Sequence, residues 1–152
     1  MSNQADYREF LIGKFTFRVK EGLWYNRAGS WVALDLAAGA ARVGLSDFRQ
    51  QVSGDIAFVD VLAAGATVNQ GAEIASLETV KADLEVLSPV SGAIVQVNEQ
   101  LGDAPELINQ DPYGEGWLVE IRLTNWAADR TDLLDAAAYF DVMKAQAEAE
   151  TA

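Results

Sequence analysis

The segment Ser76-Leu77-Glu78-Thr79-Val80-Lys81-Ala82-Asp83-Leu84-Glu85 sets a single lysine between two apolar-rich stretches and decides how the chain folds. Around it, Gly65, Gly71, Gly92 and Gly102 punctuate short runs in which Val68, Ile74, Leu77, Val80, Leu84, Val86, Val90, Ile94, Val95 and Val97 supply β-type apolar positions. Gly71 stands ten residues before Lys81 and Gly92 eleven after it. That is the layout of two similar half-motifs joined by a hairpin with the lysine at its tip. A tight turn there pushes the four-carbon lysine stem into water, where a modifying enzyme reaches it.

Toward the N-terminus, residues 15–19, 31–34, 41–45 and 56–61 are short apolar runs broken by turn residues, and each predicts a strand. Between the last two, Ser46 and Asp47 precede residues suited to a short helix that ends near Gly54. Toward the C-terminus, residues 111–117 are turn chemistry. Gly114 and Gly116 are expected to take positive φ there, Pro112 to stiffen the turn and Trp117 to fill the core. Residues 118–123 predict a last strand, and Asn125 and Asp135 each predict a helix start. Tyr139, Phe140 and Met143, near helical spacing, predict a face packed on the sheet. Trp24, Tyr25, Trp31 and Trp126 are expected in the core or at its rim. The whole predicts one domain over residues 1–152, with 1–12 and 145–152 as flexible or helical ends.

The composition removes several functions. The chain has neither cysteine nor histidine, so disulfides, thiolate nucleophiles, cysteine-ligated metals and the usual proton shuttle at neutral pH are all absent. Metal and catalytic residues are accordingly not expected. A formal charge of −12 repels phosphate backbones and anionic membranes. No uninterrupted run of 18 apolar residues occurs, and the N-terminus lacks a basic stretch followed by an apolar one. A soluble, cytoplasmic protein is expected, its acidic surface suiting solubility and basic patches on partners.

Lys81 is isolated. Between Arg49 and Arg122 it is the sole basic residue, while the interval holds twelve carboxylates from Asp55 to Glu120. A lysine paired across the hairpin with Glu78, Asp83 or Glu85 would be worth at most about 1 kcal/mol at a surface. The other reading is an acylation site. Lysine is acylated only as its neutral amine, a minority form at neutral pH, so the acylating enzyme must supply the activation and recognise the hairpin.

Residues 77–82, 88–92, 97–99 and 105–118 resemble, in the same order, blocks of the glycine cleavage H protein, and the likeness spans roughly residues 15–145. The resemblance implies a mainly β fold, a flattened barrel-sandwich hybrid of the lipoyl/biotinyl-carrier type with short helices and a C-terminal helical segment. It further implies lipoate joined through an amide to Lys81, with Glu78, Thr79, Val80, Ala82 and Glu85 shaping the hairpin that a lipoate–protein ligase or lipoyl transferase recognises. Biotin carriers usually flank their lysine with methionines, whereas Val80 and Ala82 stand here.

Glu21-Gly22-Leu23-Trp24 falls where the family usually has a Ser-His-Glu-Trp type segment. Trp24 fits, but Leu23 replaces an acid that helps hold the cationic aminomethyl group on the reduced arm, and leucine offers neither charge nor acceptor. Glu21, Leu23 and Trp24 are the expected wall of an arm cleft, with Glu21 able to substitute from the side and Glu85 near another family carboxylate. A similar branch comprises the H-like lipoate-binding proteins of heterodisulfide-reductase-like sulfur oxidation, whose arm has no need of that acid. On Leu23 alone the sequence leans to that branch over an authentic glycine cleavage H protein. Implied partners are the sulfur-oxidising complex or the glycine cleavage enzymes, and dihydrolipoamide dehydrogenase. An unmodified interaction module is the alternative of another class, and a freestanding enzyme is the weakest.

Overall fold

A computed structural model describes residues 6–151, with Thr151 described by its backbone alone. Residues 1–5 and 152, part of the expected free ends, lie outside the described residues. The chain opens with a ribbon in which β1 (Tyr7–Ile12) pairs antiparallel with β2 (Phe15–Lys20) across a turn where Gly13 takes φ 56°. Residues 7–12 therefore form a strand rather than a flexible or helical end.

The remaining strands are β3 (Trp24–Tyr25), β4 (Ser30–Asp35), β5 (Ala40–Leu45), β6 (Ile56–Val61), β7 (Thr67–Val68), β8 (Glu73–Thr79), β9 (Asp83–Leu87), β10 (Gly92–Val97) and β11 (Val119–Leu123). They make a six-stranded sheet ordered β3-β4-β5-β11-β10-β7 and a three-stranded sheet ordered β6-β8-β9, with antiparallel pairing throughout. Val32, Val43, Ile94, Leu118 and Ile121 from the first sheet and its approaches share one buried cluster with Ile74, Leu77 and Val86 from the second. This is the expected sandwich core. Each fully buried Leu or Ile contributes roughly 1.5–3 kcal/mol.

A second cluster joins the ribbon to the helices. Helix α1 (Asp47–Ser53) begins at Ser46, whose hydroxyl accepts from Arg49 N, and ends at Gly54, where φ of 86° is the left-handed conformation that glycine adopts without a Cβ clash. Helix α4 (Ala136–Thr151) lays Tyr139, Met143 and Ala147 against Phe17, Val19, Tyr25, Trp31 and Phe48. The rings of Tyr25 and Tyr139 stack at 4.5 Å, and Phe17 meets Phe48 edge-on at 5.1 Å. The C-terminal end is helical to Thr151, one of the two forms expected for it; Ala147 is fully buried against the cluster, while Glu148 and Glu150 face solvent. Asp135 caps α4 as expected, its Oδ1 accepting from Ala138 N at 2.8 Å. Asn125 does not cap α3 (Trp126–Asp129) through its side chain; its backbone carbonyl accepts from Asp129 N instead.

The turn over residues 111–117 follows α2 (Leu107–Gln110) and is structural, but for a different reason from the one expected. Among the described residues neither Gly114 nor Gly116 has positive φ. They are glycines because of close approach: a Cβ on Gly114 would collide with the Asp111 carboxylate, and one on Gly116 would come within 2.8 Å of Ile108 Cα. Trp117 is buried, as expected, and carries the Arg42 guanidinium 4.4 Å above its ring. Among the described residues no helix is long and apolar enough to cross a membrane.

Candidate functional site

Strands β8 and β9 pair from Glu73 opposite Leu87 to Glu78 opposite Asp83, leaving Val80, Lys81 and Ala82 to turn the chain. Leu77 and Val86 point into the core and anchor the hairpin, so the tip is carried on a rigid base. No glycine is needed at this turn because Thr79 closes it. Its Oγ1 accepts from Lys81 N at 3.2 Å and from Ala82 N at 3.1 Å, and donates to Ala82 O at 2.8 Å, while Thr79 N donates to the same carbonyl at 2.9 Å. A hydroxyl that is both donor and acceptor is what such a closure requires. Val80 at the apex is 91% exposed.

Lys81 is exposed, and its Nζ donates to Val52 O, at the C-terminal end of α1, at 3.1 Å. Its stem passes the backbone of Gly54: a Cβ built there would lie 3.3 Å from Lys81 Cε. The ion pairs among the described residues are Arg8 with Glu21, Arg18 with Glu9, and Arg42 with Glu120, so Lys81 does not take up the cross-hairpin pairing with Glu78, Asp83 or Glu85. One exposed hydrogen bond to a carbonyl is a light restraint, and the amine is open to acylation. An amide nitrogen keeps one N–H to offer the same carbonyl, so the surroundings fit an amide-linked lipoyl group.

Glu78 and Glu85 lie on the outward face of the three-stranded sheet. Register sets Phe58 opposite Glu78 and Asp60 opposite Ser76 on one side, and Asp83 opposite Glu78 and Glu85 opposite Ser76 on the other. Phe58, 67% exposed, thus stands among carboxylates next to the hairpin.

Glu21, Leu23 and Trp24 are brought together elsewhere, with Arg8, Gly22, Asp135, Ala136 and Ala137, around a shallow recess of about 260 Å³. No hairpin residue lines this recess. Glu21 is held by Arg8 at 3.1 Å, Leu23 packs against the aromatic cluster, and Trp24 meets Trp126 edge-on at 5.9 Å with Arg130 over its ring. Val52, whose carbonyl accepts from Lys81, packs partly against the same aromatic cluster as Leu23. Val52 and Gly54 touch Lys81 but carry no sequence signal beyond the end of a short helix. Among the described residues no group of His, Cys, Asp or Glu is placed to hold a metal.

Comparison with known proteins gives the same picture over most of the chain. The family model of the glycine cleavage H-protein matches residues 23–146. The glycine cleavage system H protein of Marinobacter nauticus is 41% identical over 128 residues, covering 84% of this chain and 97% of that protein. That of Klebsiella pneumoniae is 44% identical over 117 residues, 77% of this chain and 89% of the relative. The crystal structure of a glycine cleavage system H protein from Mycobacterium marinum superposes with a TM-score of 0.74 at 30% identity, over 81% of this chain and 97% of that one. With its two packed sheets, C-terminal helix and exposed hairpin lysine, the chain belongs to the glycine cleavage H-protein family, a family of non-catalytic carrier subunits.

Proposed function

We propose that Lys81 is the lipoylation site and that the protein carries the lipoyl group between the enzymes of a glycine cleavage system. The observation that supports this most is the amine itself: exposed at the tip of an anchored hairpin, restrained by a single bond to Val52 O, in a chain of this family. Loading joins the Lys81 nitrogen to the carbonyl carbon of an activated lipoyl group; the bond to the activating group breaks, that group leaves with the electron pair, and the ammonium gives up two of its three protons to solvent, the third staying on the amide nitrogen. Once attached, the dithiolane supplies the thiol–disulfide chemistry for which this chain, without cysteine, has no group of its own.

The chain's residues do the rest by placement. Thr79 fixes the turn, Leu77 and Val86 hold it to the core, and the short tether raises the effective concentration of the arm at any docked enzyme. Phe58, Asp60, Glu78, Asp83 and Glu85 give that enzyme a face beside the tether. Partners on this reading are the glycine cleavage enzymes, dihydrolipoamide dehydrogenase and the lipoate–protein ligase or lipoyl transferase that loads Lys81, all in the cytoplasm.

A second reading, the H-like carrier of sulfur oxidation, is favoured by one observation: Leu23 sits at the recess where the family has an acid, and the neighbouring Glu21 is engaged by Arg8. The named relatives favour glycine cleavage, and that reading is preferred here. The deciding experiment supplies the lipoylated protein to the glycine cleavage enzymes of the same host and follows carbon dioxide released from carboxyl-labelled glycine. Release that depends on the protein and on Lys81 supports the proposal. A fully lipoylated protein that supports no release refutes the glycine assignment and leaves the sulfur reading.

A further inference from the structure

We infer that Asn109 is a positioning residue for the root of the arm, an inference that rests on Lys81 being the loaded residue. Asn109 lies in α2, far from the hairpin in sequence, yet its whole side chain is spent on one corner of the fold. Its Nδ2 donates to Gly54 O at 2.9 Å and to Gln50 Oε1 at 3.0 Å, and its Oδ1 accepts from Ile56 N at 2.9 Å. Each of these bonds spans more than fifty residues of chain. A primary amide offers two N–H donors and one carbonyl acceptor, and all three functions are used here.

That corner, between α1 and β6, is the surface on which Lys81 lies. Val52 O accepts from Lys81 Nζ, and the Lys81 stem passes over Gly54, which has no side chain to obstruct it. Local bonds and strand pairing hold each piece of the corner: Gly54 N donates to Gln50 O, Ser53 Oγ donates to Arg49 O, and Ile56 pairs with Thr79 on β8; among the described residues Asn109 is the side chain that bonds to α1, Gly54 and β6 together. Asn109 ties the helix through Gln50, the link through Gly54 and the strand through Ile56 into one unit. The chain of dependence runs from Asn109 to the corner, from the corner to the lysine stem, and from the stem to the reacting nitrogen. A nucleophile displaced by about 1 Å can lose some two orders of magnitude in rate.

The test loads the apo protein with lipoate–protein ligase, ATP and free lipoate, and follows the Lys81 adduct by mass at a temperature where every variant is folded. Asn109→Asp keeps the acceptor for Ile56 N and loses both donors; Asn109→Ala loses all three bonds. Asn98→Asp is the control, because Asn98 Nδ2 makes a comparable pair of bonds to Glu115 O and Trp117 O, away from the corner. The expected result is a kcat for loading lowered about tenfold in both Asn109 variants with KM within about twofold, and wild-type kcat in Asn98→Asp despite its own loss of stability. In parallel, carbon-13 relaxation of the Lys81 methylenes should report a more mobile stem in Asn109→Asp than in Asn98→Asp. Equal kcat across all four proteins, or losses that merely follow stability, overturns the inference. If the wild-type protein takes no lipoyl group at Lys81, the carrier reading fails on its own, and the relaxation measurement then decides whether Asn109 positions the side chain.

Discussion

Replacing Thr79 by valine keeps the shape and the β-branching of the side chain and removes only its hydroxyl, so it isolates what closes the hairpin tip. The hydroxyl accepts from Lys81 N and Ala82 N at 3.2 and 3.1 Å and donates to Ala82 O at 2.8 Å. A net contribution of 0.5–1.5 kcal/mol per bond would give several kcal/mol, but both accepted bonds are long and the tip is open to water, which rehydrates the freed groups. The loss should therefore be about 1 kcal/mol in all. That is about a fivefold increase in local opening. Amide hydrogen exchange at Lys81 and Ala82, read against Leu77 in the buried part of β8, measures it. Fivefold faster exchange at the two tip amides with Leu77 much less affected is the expected pattern. Unchanged tip exchange, or a tip and Leu77 that accelerate together, would refute the assignment of Thr79 as the closing residue.

Gly92→Ala should cost about 3 kcal/mol in a urea titration, because the added Cβ would collide with the Arg122 carbonyl and lie 2.6 Å from Ile121 Cγ2 on the paired strand; a loss below 1 kcal/mol would mean the strands separate easily there. Ser46→Ala removes the cap of α1 and strands the buried Tyr139 hydroxyl, 2.9 Å from Ser46 Oγ, so stability should fall by about 3 kcal/mol, while Ser46→Thr recovers part of it. Alkaline stability follows from the tyrosines. Burial raises Tyr25 and Tyr113 well above the ordinary value and pushes Tyr139 up to about 12 from 10.0. A raised folded-state value means the contribution is complete below the unfolded value and lost as pH climbs through the folded one. The melting temperature should accordingly be insensitive to these groups below pH 10 and fall between about 10 and 12, with tyrosinate absorbance rising together with the loss of circular dichroism. The measurement uses a Tyr7→Phe background, because Tyr7 is only partly buried; tyrosinate appearing there in a protein that keeps its circular dichroism would contradict the burial of the other three.

The strands and the hairpin were legible because their residues alternate or cluster over a few positions. Residues 56–61 and 118–123 carry apolar runs dense enough to show as strands, and Ser46 and Gly54 bracket α1 with a cap and a stop. Tyr7–Ile12 was not legible, since Arg8, Glu9 and Leu11 are exposed and the strand exists through its pairing with β2 and its contact with α4. Ala147 gave no signal either: a small residue in an Ala/Glu tail looks solvated until the helix is seen against the aromatic cluster. The glycines after α2 were legible as turn residues but not in their cause, because the clash with Asp111 or Ile108 depends on how closely the turn folds back on the end of α2. At the site, Lys81 stood out by isolation in sequence, whereas Val52, Gly54 and Asn109 support it only through tertiary contact. Leu23 and Glu21 line one recess, but the ion pair that occupies Glu21 needed β1, the strand that the sequence concealed.

The most direct test of the account is the intact mass of the protein, with peptide mapping across residues 73–87, after purification from its native host or co-expression with its native ligase. One lipoyl adduct is expected, located on Lys81 and absent from Lys81→Arg, which keeps the charge but cannot be acylated. Unmodified Lys81 in protein that has met its ligase, or an adduct placed on Lys14, Lys20 or Lys144 instead, would contradict it.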